Sequence, residues 1–226
     1  LPSATVGRLV AYLRAVERLR AADKTKTSSR ELAEEAQVTQ FQVRKDLTRV
    51  GRLGNLGSGY DLERLEAALR EKLGLGRSWR VAIVGMGRLG EAIAHYPYFG
   101  RSAFRLAAFF DADEAKVGRD LGGIEISHVR DLARVVRERD IDIGFLTVPE
   151  AAAERTAADL AAAGVLGILN FTPTSVKVAE PVFVEAVDFL AGLTRLSFYI
   201  HDVEQASLDA SVAAQPPEQQ AKEEPA

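Results

Sequence analysis

The sequence predicts an α/β protein, an N-terminal winged helix-turn-helix domain followed by a Rossmann-type doubly wound parallel sheet and a long closing helix. Three observations carry that reading. The first fifty residues hold three segments with apolar residues at helical spacing. From Trp79 onward, apolar runs of strand length alternate with helical segments. Charge also changes along the chain: residues 1–60 hold 11 Lys/Arg against 6 Asp/Glu, residues 61–77 four of each, and the remainder 14 against 22. The expected divisions are a winged-helix domain over 1–77, a sheet domain over 78–188, a C-terminal helix over 189–211 and a disordered tail over 212–226.

In the first part, PSATVGRLVAYLRAVERLRAA places Val6, Leu9, Val10, Leu13, Val16 and Leu19 on one helical face, with Ser3 as the cap. SSRELAEEAQV opens a second helix, where Ser28 and Glu31 fit a reciprocal capping box. TQFQVRKDLTRVG reads as a third, capped by Thr39, stopped at Gly51 and striped by Val43, Leu47 and Val50. GRLGNLGSGYDL then makes a hairpin whose tip needs positive φ at Gly57 or Gly59. Asp61 caps a fourth helix, DLERLEAALREKLGL.

The second part offers RVAIVG, FRLAAFFD, IEISH, IDIGFLTV, GILNFT and VFVEAVD as strands. Their apolar runs are continuous, each followed by a helix, which suits a parallel sheet covered on both faces. FLAGLTRLSFYIHDVEQASLDA makes the last helix, and the polar, proline-bearing AQPPEQQAKEEPA reads as disordered. The chain has no cysteine, so disulfides, thiolate metal sites and thiol switches are excluded. No uninterrupted apolar run approaches the roughly 20 residues of a membrane span and no signal-peptide pattern opens the chain, so a cytoplasmic protein is expected.

A basic first quarter on an acidic body points to a polyanion partner held at one end. The third helix is the recognition element of that reading. Gln40, Gln42 and Lys45 are candidates for base edges, and Arg44, Thr48 and Arg49 for phosphates. The same surface takes in Thr39, Arg52 and the wing residues Gly57, Gly59 and Tyr60. One such unit reads few base pairs, so a dimer on a double-stranded inverted repeat is expected. The alternative is an amphipathic surface helix with ordinary charges.

RVAIVGMGRLG carries glycines at 85, 87 and 90, straight after a strand and opening a helix, with Asp111 closing the next strand. Gly85 makes the turn, Gly87 admits a pyrophosphate to the backbone, and Gly90 lets helix and strand pack. Asp111 accepts from the adenosine ribose and repels a 2′-phosphate, which favours NAD(H). His95, His128 and His201 do not fall where a hydride-transfer site needs its proton donor. Sensing therefore explains the layout better than turnover. One alternative is a small NAD-dependent oxidoreductase whose N-terminal domain dimerises, and another is a DNA reader that binds coenzyme A.

QVTQFQVRKDL, the wing ending GSGY, VAIVGMGRLG, HYPYFG, FFDAD, LTVP, GILNF and VDFLAGLTRLSF occur in the order of the Rex family of redox-sensing repressors, which this chain resembles almost throughout. The resemblance implies a homodimer with swapped C-terminal helices, bound to palindromic operator DNA when free or loaded with NAD⁺ and released by NADH. It implies that Gly85, Gly87, Arg88, Leu89 and Gly90 hold the pyrophosphate, and that Asp111, with Lys116 nearby, holds the adenosine ribose. Thr147, Pro149, Asn170 and Thr172 fall in strand-end loops where the nicotinamide half belongs, with Tyr96 matching a family tyrosine. Phe189 enters the partner's nicotinamide pocket, and Arg14, Tyr96 and Asp188 form the switch. Family wings carry an arginine where this chain has Leu56, which puts the wing's affinity or its preferred operator flank in question.

Overall fold

The computed structural model describes residues 1–51, 53–55 and 59–213. They form two compact units, one of residues 1–79 with 97–105, the other of 80–96 with the chain from 106 onward.

In the first unit, α1 (Ser3–Ala21), α2 (Ser29–Ala36), α3 (Gln40–Leu47) and α4 (Leu62–Lys72) surround one core, with short strands β1 (Lys26–Thr27), β2 (Gly54–Asn55) and β3 (Gly59–Asp61). β3 lies between the other two, antiparallel to both. Sequence-encoded caps start three of the helices: Ser28 Oγ accepts from the Glu31 amide, Thr39 Oγ1 from Gln42 and Asp61 Oδ1 from Arg64, at 2.9–3.1 Å. The cap expected at Ser3 is absent; Ser3 is already helical and follows Pro2, whose fixed φ suits the entry. The buried stripe of α1 is also rotated from the expected one. Leu9, Tyr12, Leu13, Ala15, Val16 and Leu19 are buried, while Val6 and Val10 stay exposed. Tyr12, Ala15 and Leu19 draw the buried arc to the side of the helix away from Val6 and Val10.

Tyr12 is inside because its hydroxyl has a partner there. Asp46 on α3 is fully buried and accepts from Arg8 Nε at 2.6 Å, Arg8 Nη2 at 3.1 Å, Tyr12 Oη at 3.1 Å and Gln42 Nε2 at 2.9 Å. Arg8 above all, helped by Gln42 and Tyr12, holds the Asp46 carboxyl below the ordinary range against the upward push of burial. Burial first, then the anionic neighbour, pushes the Tyr12 phenol up to about 12.

At the wing, Gly59 takes φ +72, and an added Cβ would come within 2.5 Å of the Thr27 carbonyl oxygen, so β1 and β3 meet there only through glycine. Arg52, Leu56 and Gly57 lie outside the described residues. Trp79 ends this unit, its indole N–H donating to the Gly74 carbonyl at 2.8 Å and its ring covered by the Arg77 guanidinium at 3.6 Å.

The second unit is built on a seven-stranded sheet. Its strands are β4 (Trp79–Val84), β5 (Phe104–Asp111), β6 (Asp120–Leu121), β7 (Ile124–His128), β8 (Ile143–Leu146), β9 (Gly167–Asn170) and β10 (Phe183–Ala186). Its helices are α5 (Arg88–Ala94), α6 (Leu132–Glu138), α7 (Glu150–Ala163) and α8 (Phe189–Ala213). The order is β10-β9-β8-β4-β5-β7-β6, so the chain runs outward from β4 to one edge and then returns to β8 to build the other half. That is the doubly wound order, with its switch point between β4 and β8.

Two expectations need correction. The sheet is mixed, because β6 pairs antiparallel with β7 at the edge. No helix follows β5 either; Gly118, Gly122 and Gly123, all at positive φ, turn the chain directly into the β6–β7 hairpin. The tail proposed as disordered, apart from 212 and 213 at the end of α8, lies outside the described residues.

The tightest backbone approach in the second unit is at the β4–α5 turn. Gly85 takes φ +99, and a Cβ there would lie 2.6 Å from the Thr147 carbonyl oxygen. A Cβ on Gly90 would lie 2.2 Å from the Gly85 carbonyl oxygen and 3.2 Å from Thr147 Oγ1.

Three measurements test this packing. Gly90→Ala is expected to lose about 1–3 kcal/mol in denaturant unfolding, the cost of overpacking against backbone. Tyr12→Phe is expected to cost about 1.5–3 kcal/mol, since it strips a hydrogen bond from a buried carboxylate. The depressed Asp46 carboxyl contributes stability that is present above the unfolded value near pH ~4 and lost as pH falls through the lower folded value. Asp46→Asn should therefore flatten the acid limb of a thermal-unfolding pH profile.

Candidate functional site

The switch point opens a cleft of about 1370 Å³ in the second unit. One wall comes from the β4–α5 turn, with Gly85, Gly87, Arg88 and Leu89; another from the ends of β5 and β7, with Asp111, Ala112, Asp113, Lys116 and His128. Thr147, Val148 and Pro149 after β8 supply a third, and α6 and α7 complete the rim. Eight of the residues expected to hold a cofactor are thus brought together. An added Cβ at Gly87 would meet nothing within 4 Å, so the cleft reaches the backbone there. Arg88 and Leu89 are exposed in the first turn of α5, where main-chain amides lack intrahelical partners.

Asp111 is nearly buried and works on three donors already. Its Oδ2 accepts from the Met86 amide at 2.8 Å and Lys116 Nζ at 3.0 Å, and its Oδ1 from the Asp113 amide at 2.8 Å. Burial alone would raise its carboxyl, but the Asp113 amide, the Lys116 ammonium and the Met86 amide outweigh that and hold it below the ordinary range. It is therefore an anion at neutral pH. A carboxylate offers about four acceptor positions, and one on Oδ1 remains for a hydroxyl from the cleft.

The structure gives several other candidates internal work. Gly90 packs under the turn and does not line the cleft. Thr147 Oγ1 donates toward the carbonyls of Val84 and Gly85, at 2.9 and 2.8 Å, fixing the end of β4. Asn170 and Thr172 are buried and bonded to each other, the Asn170 amide closing on the Thr174 carbonyl at 2.7 Å. Tyr96 is exposed beyond α5. Asp188 starts α8, its Oδ1 accepting from the Ala191 amide at 2.9 Å, and Phe189 is 63% exposed. Along α8, Leu190, Leu193, Leu196, Phe198, Ile200 and Val203 are exposed as well.

His128, set aside in the sequence as a proton donor, nonetheless lines the cleft. It ends β7 in the cleft wall, and its Nδ1 accepts from the Arg130 amide at 3.0 Å, which leaves Nε2 as the protonated nitrogen in the neutral ring. The available signal was its place as the last residue of IEISH.

In the first unit, the α3 candidates divide in the same way. Gln40, Arg44, Lys45, Thr48 and Arg49 are exposed. Arg44 Nη1 donates to Ser29 Oγ at 3.2 Å and Arg49 Nη1 to Thr5 Oγ1 at 3.3 Å. Thr39 is occupied as a cap, Gln42 is held by Asp46, and Thr48 Oγ1 donates to the Lys45 carbonyl at 2.7 Å. Tyr60 is half-buried against the core, where burial raises its phenol despite the nearby Arg44. Arg14 is exposed on α1.

Residues 77–174 match the family described as "CoA binding domain", and residues 1–48 the one described as "Putative DNA-binding protein N-terminus". The chain is 54% identical over 200 residues to the redox-sensing transcriptional repressor Rex of Thermus thermophilus, covering 88% of this chain and 94% of that protein. It is 45% identical over 218 residues to Rex of Deinococcus radiodurans, covering 88% and 93%. Among solved structures it is similar to the Rex-family repressor RSP in complex with NADH, with 34% identity, TM-score 0.84 and coverage of 92% and 97%. RSP in complex with NAD⁺ and operator DNA gives 34% identity, TM-score 0.86 and coverage of 93% and 97%. Helix caps, sheet order, switch-point cleft and these similarities agree: the chain belongs to the Rex family of redox-sensing transcriptional repressors.

Proposed function

We propose that this protein is a DNA-binding repressor that senses the NADH/NAD⁺ ratio, holding operator DNA as a homodimer when free or NAD⁺-bound and leaving it when NADH binds. The observation that carries this reading is the pairing, in one chain, of a cleft built around Gly87 and an anionic Asp111 with a helix-turn-helix unit whose α3 exposes Gln40, Arg44 and Lys45. The RSP complexes support it with the same two ligand classes. The winged-helix unit over 1–77 is the DNA-binding domain, and 78–188 the nucleotide-binding domain. The protein is a sensor and not a dehydrogenase, and the relatives' description as repressors favours this.

The nicotinamide ring is a cation when oxidised and neutral when reduced, and that difference is the signal. In this reading, the amides and open backbone of Gly85, Gly87, Arg88 and Leu89 bind the pyrophosphate, and Asp111, with Lys116 beside it, orients the adenosine ribose. A 2′-phosphate against the Asp111 carboxylate would be repelled, which selects NADH over NADPH, and a ribose hydroxyl fits that acceptor better than the 3′-phosphate of coenzyme A. Pro149 and the Thr147 turn bound the nicotinamide side, while Asn170 and Thr172 position the neighbouring loop.

The exposed apolar residues of α8 pack against a second copy, and α8 crosses to place Phe189 over the partner's nicotinamide. An unpaired cation buried in an apolar pocket costs several kcal/mol, whereas a neutral ring does not. Closure therefore follows NADH. Asp188 meets Arg14 of the partner subunit when the cleft is open, and the exchange of that contact for Tyr96 is the relay to the DNA-binding units.

A gel shift on a palindromic duplex, with NADH and NAD⁺ titrated separately, tests the whole. Release by NADH at concentrations where NAD⁺ leaves the complex intact is expected; release by neither, or by both alike, overturns it. In Phe189→Ala, calorimetry should find the two coenzymes bound with similar affinity. Asp111→Asn should weaken NADH binding by about tenfold or more, the value of a hydrogen bond to a charged group, and relax the rejection of NADPH.

A further inference from the structure

On α3 the buried side is formed by Val43, Asp46 and Leu47. The opposite face is centred on Phe41, Lys45 and Thr48, spaced i, i+4 and i+7, with Arg44 and Arg49 beside them. Phe41 is 67% exposed on this face, one turn before Lys45. The core of the unit closes without it. An aromatic ring left in water at the centre of a cationic face is not explained by folding, because it buries little and caps nothing.

The neighbouring polar groups narrow what that face can read. The Gln42 amide is tied to Asp46, the Thr48 hydroxyl to the Lys45 carbonyl and the Thr39 hydroxyl to the helix start. Gln40 and Lys45 are left as the uncommitted hydrogen-bonding side chains on the first turns of α3. In the major groove, the one apolar group any base pair presents is the 5-methyl of thymine.

Resting on the DNA-binding reading above, we propose that Phe41 is a specificity-determining residue that packs on the 5-methyl group of a thymine in each operator half-site. Lys45, one turn on, points at the neighbouring base or its phosphate, and Arg44 and Arg49 hold the backbone on either side. The cations around Phe41 match a polyanion, whereas the core of a protein-binding patch is depleted of charged side chains.

The test uses the full chain and a duplex selected by it from a random-sequence pool. Each thymine of one half-site is replaced in turn by deoxyuridine, which removes only the methyl group, and affinity is read by fluorescence anisotropy. The wild-type chain should lose about fourfold at one thymine, the value of ~0.8 kcal/mol per buried methyl group at 1.4 kcal/mol per tenfold. Phe41→Ala should bind the unmodified duplex several-fold more weakly, lose the distinction between thymine and deoxyuridine at that position, and keep the salt dependence set by the phosphate contacts. Phe41→Leu should retain part of the distinction. Equal affinity for every deoxyuridine duplex, or a Phe41→Ala chain with wild-type discrimination, overturns the proposal while leaving DNA binding intact. So does unchanged affinity in Phe41→Ala, which would point to a protein contact instead. Failure to select any duplex sinks the DNA-binding reading and this one together.

Discussion

The contact on which the second unit depends is backbone against backbone where β4 turns into α5. Gly90 sits so close under the Gly85 carbonyl that no side chain fits between them, and Gly85 itself abuts the chain after β8. This draws α5 down onto the sheet at the place where strand order reverses. The cleft lies directly above this contact, at the carboxyl ends of β4, β5 and β8, and Gly87 is left facing the opening. Thr147 closes the arrangement by donating its hydroxyl into the same turn. Residues that look like ligand contacts in the sequence are in part the means by which the contact surface is held open.

The first unit solves a different problem with different chemistry. All four helices contribute apolar residues to one core, and an ion pair whose carboxylate is buried ties two of the helices together. Asp46 belongs to α3 and Arg8 and Tyr12 to α1, so the helix that faces outward is fastened to the helix that carries Arg14. Such a pair is a poor source of net stability, since desolvation offsets most of the attraction. What it supplies is orientation: a carboxylate with four donors around it has one arrangement, and α3 is fixed in azimuth on α1 accordingly.

Much of this was legible in the sequence because local rules decided it. Ser28, Thr39 and Asp61 cap where capping residues are expected, and the glycine spacing after RVAIV gives both turn and helix. The strand runs are read correctly for the same reason, being continuous and apolar. What could not be read there has a common cause, which is that a side chain's use depends on the partners the fold sets against it. Tyr12 was not expected inside, because its partner lies 34 residues on. The bond from the Gln42 amide to Asp46, a carboxylate paired with Arg8, could not be read along the chain. The same holds for the hydrogen bond between Thr172 and Asn170. The antiparallel β6 escaped notice because two residues carry no periodicity.

Trp79 is the sole tryptophan of the chain, and it is anchored at the last residue of the helical unit by a carbonyl on one side and a guanidinium on its face. The intrinsic emission of this protein on selective excitation therefore originates at a single point. It lies on the first residue of β4, the strand that leads to Gly85. A change in that emission when a nucleotide arrives therefore has one indole per chain as its source, and with NADH it includes energy transfer from that indole to the reduced nicotinamide, whose absorption overlaps the indole emission.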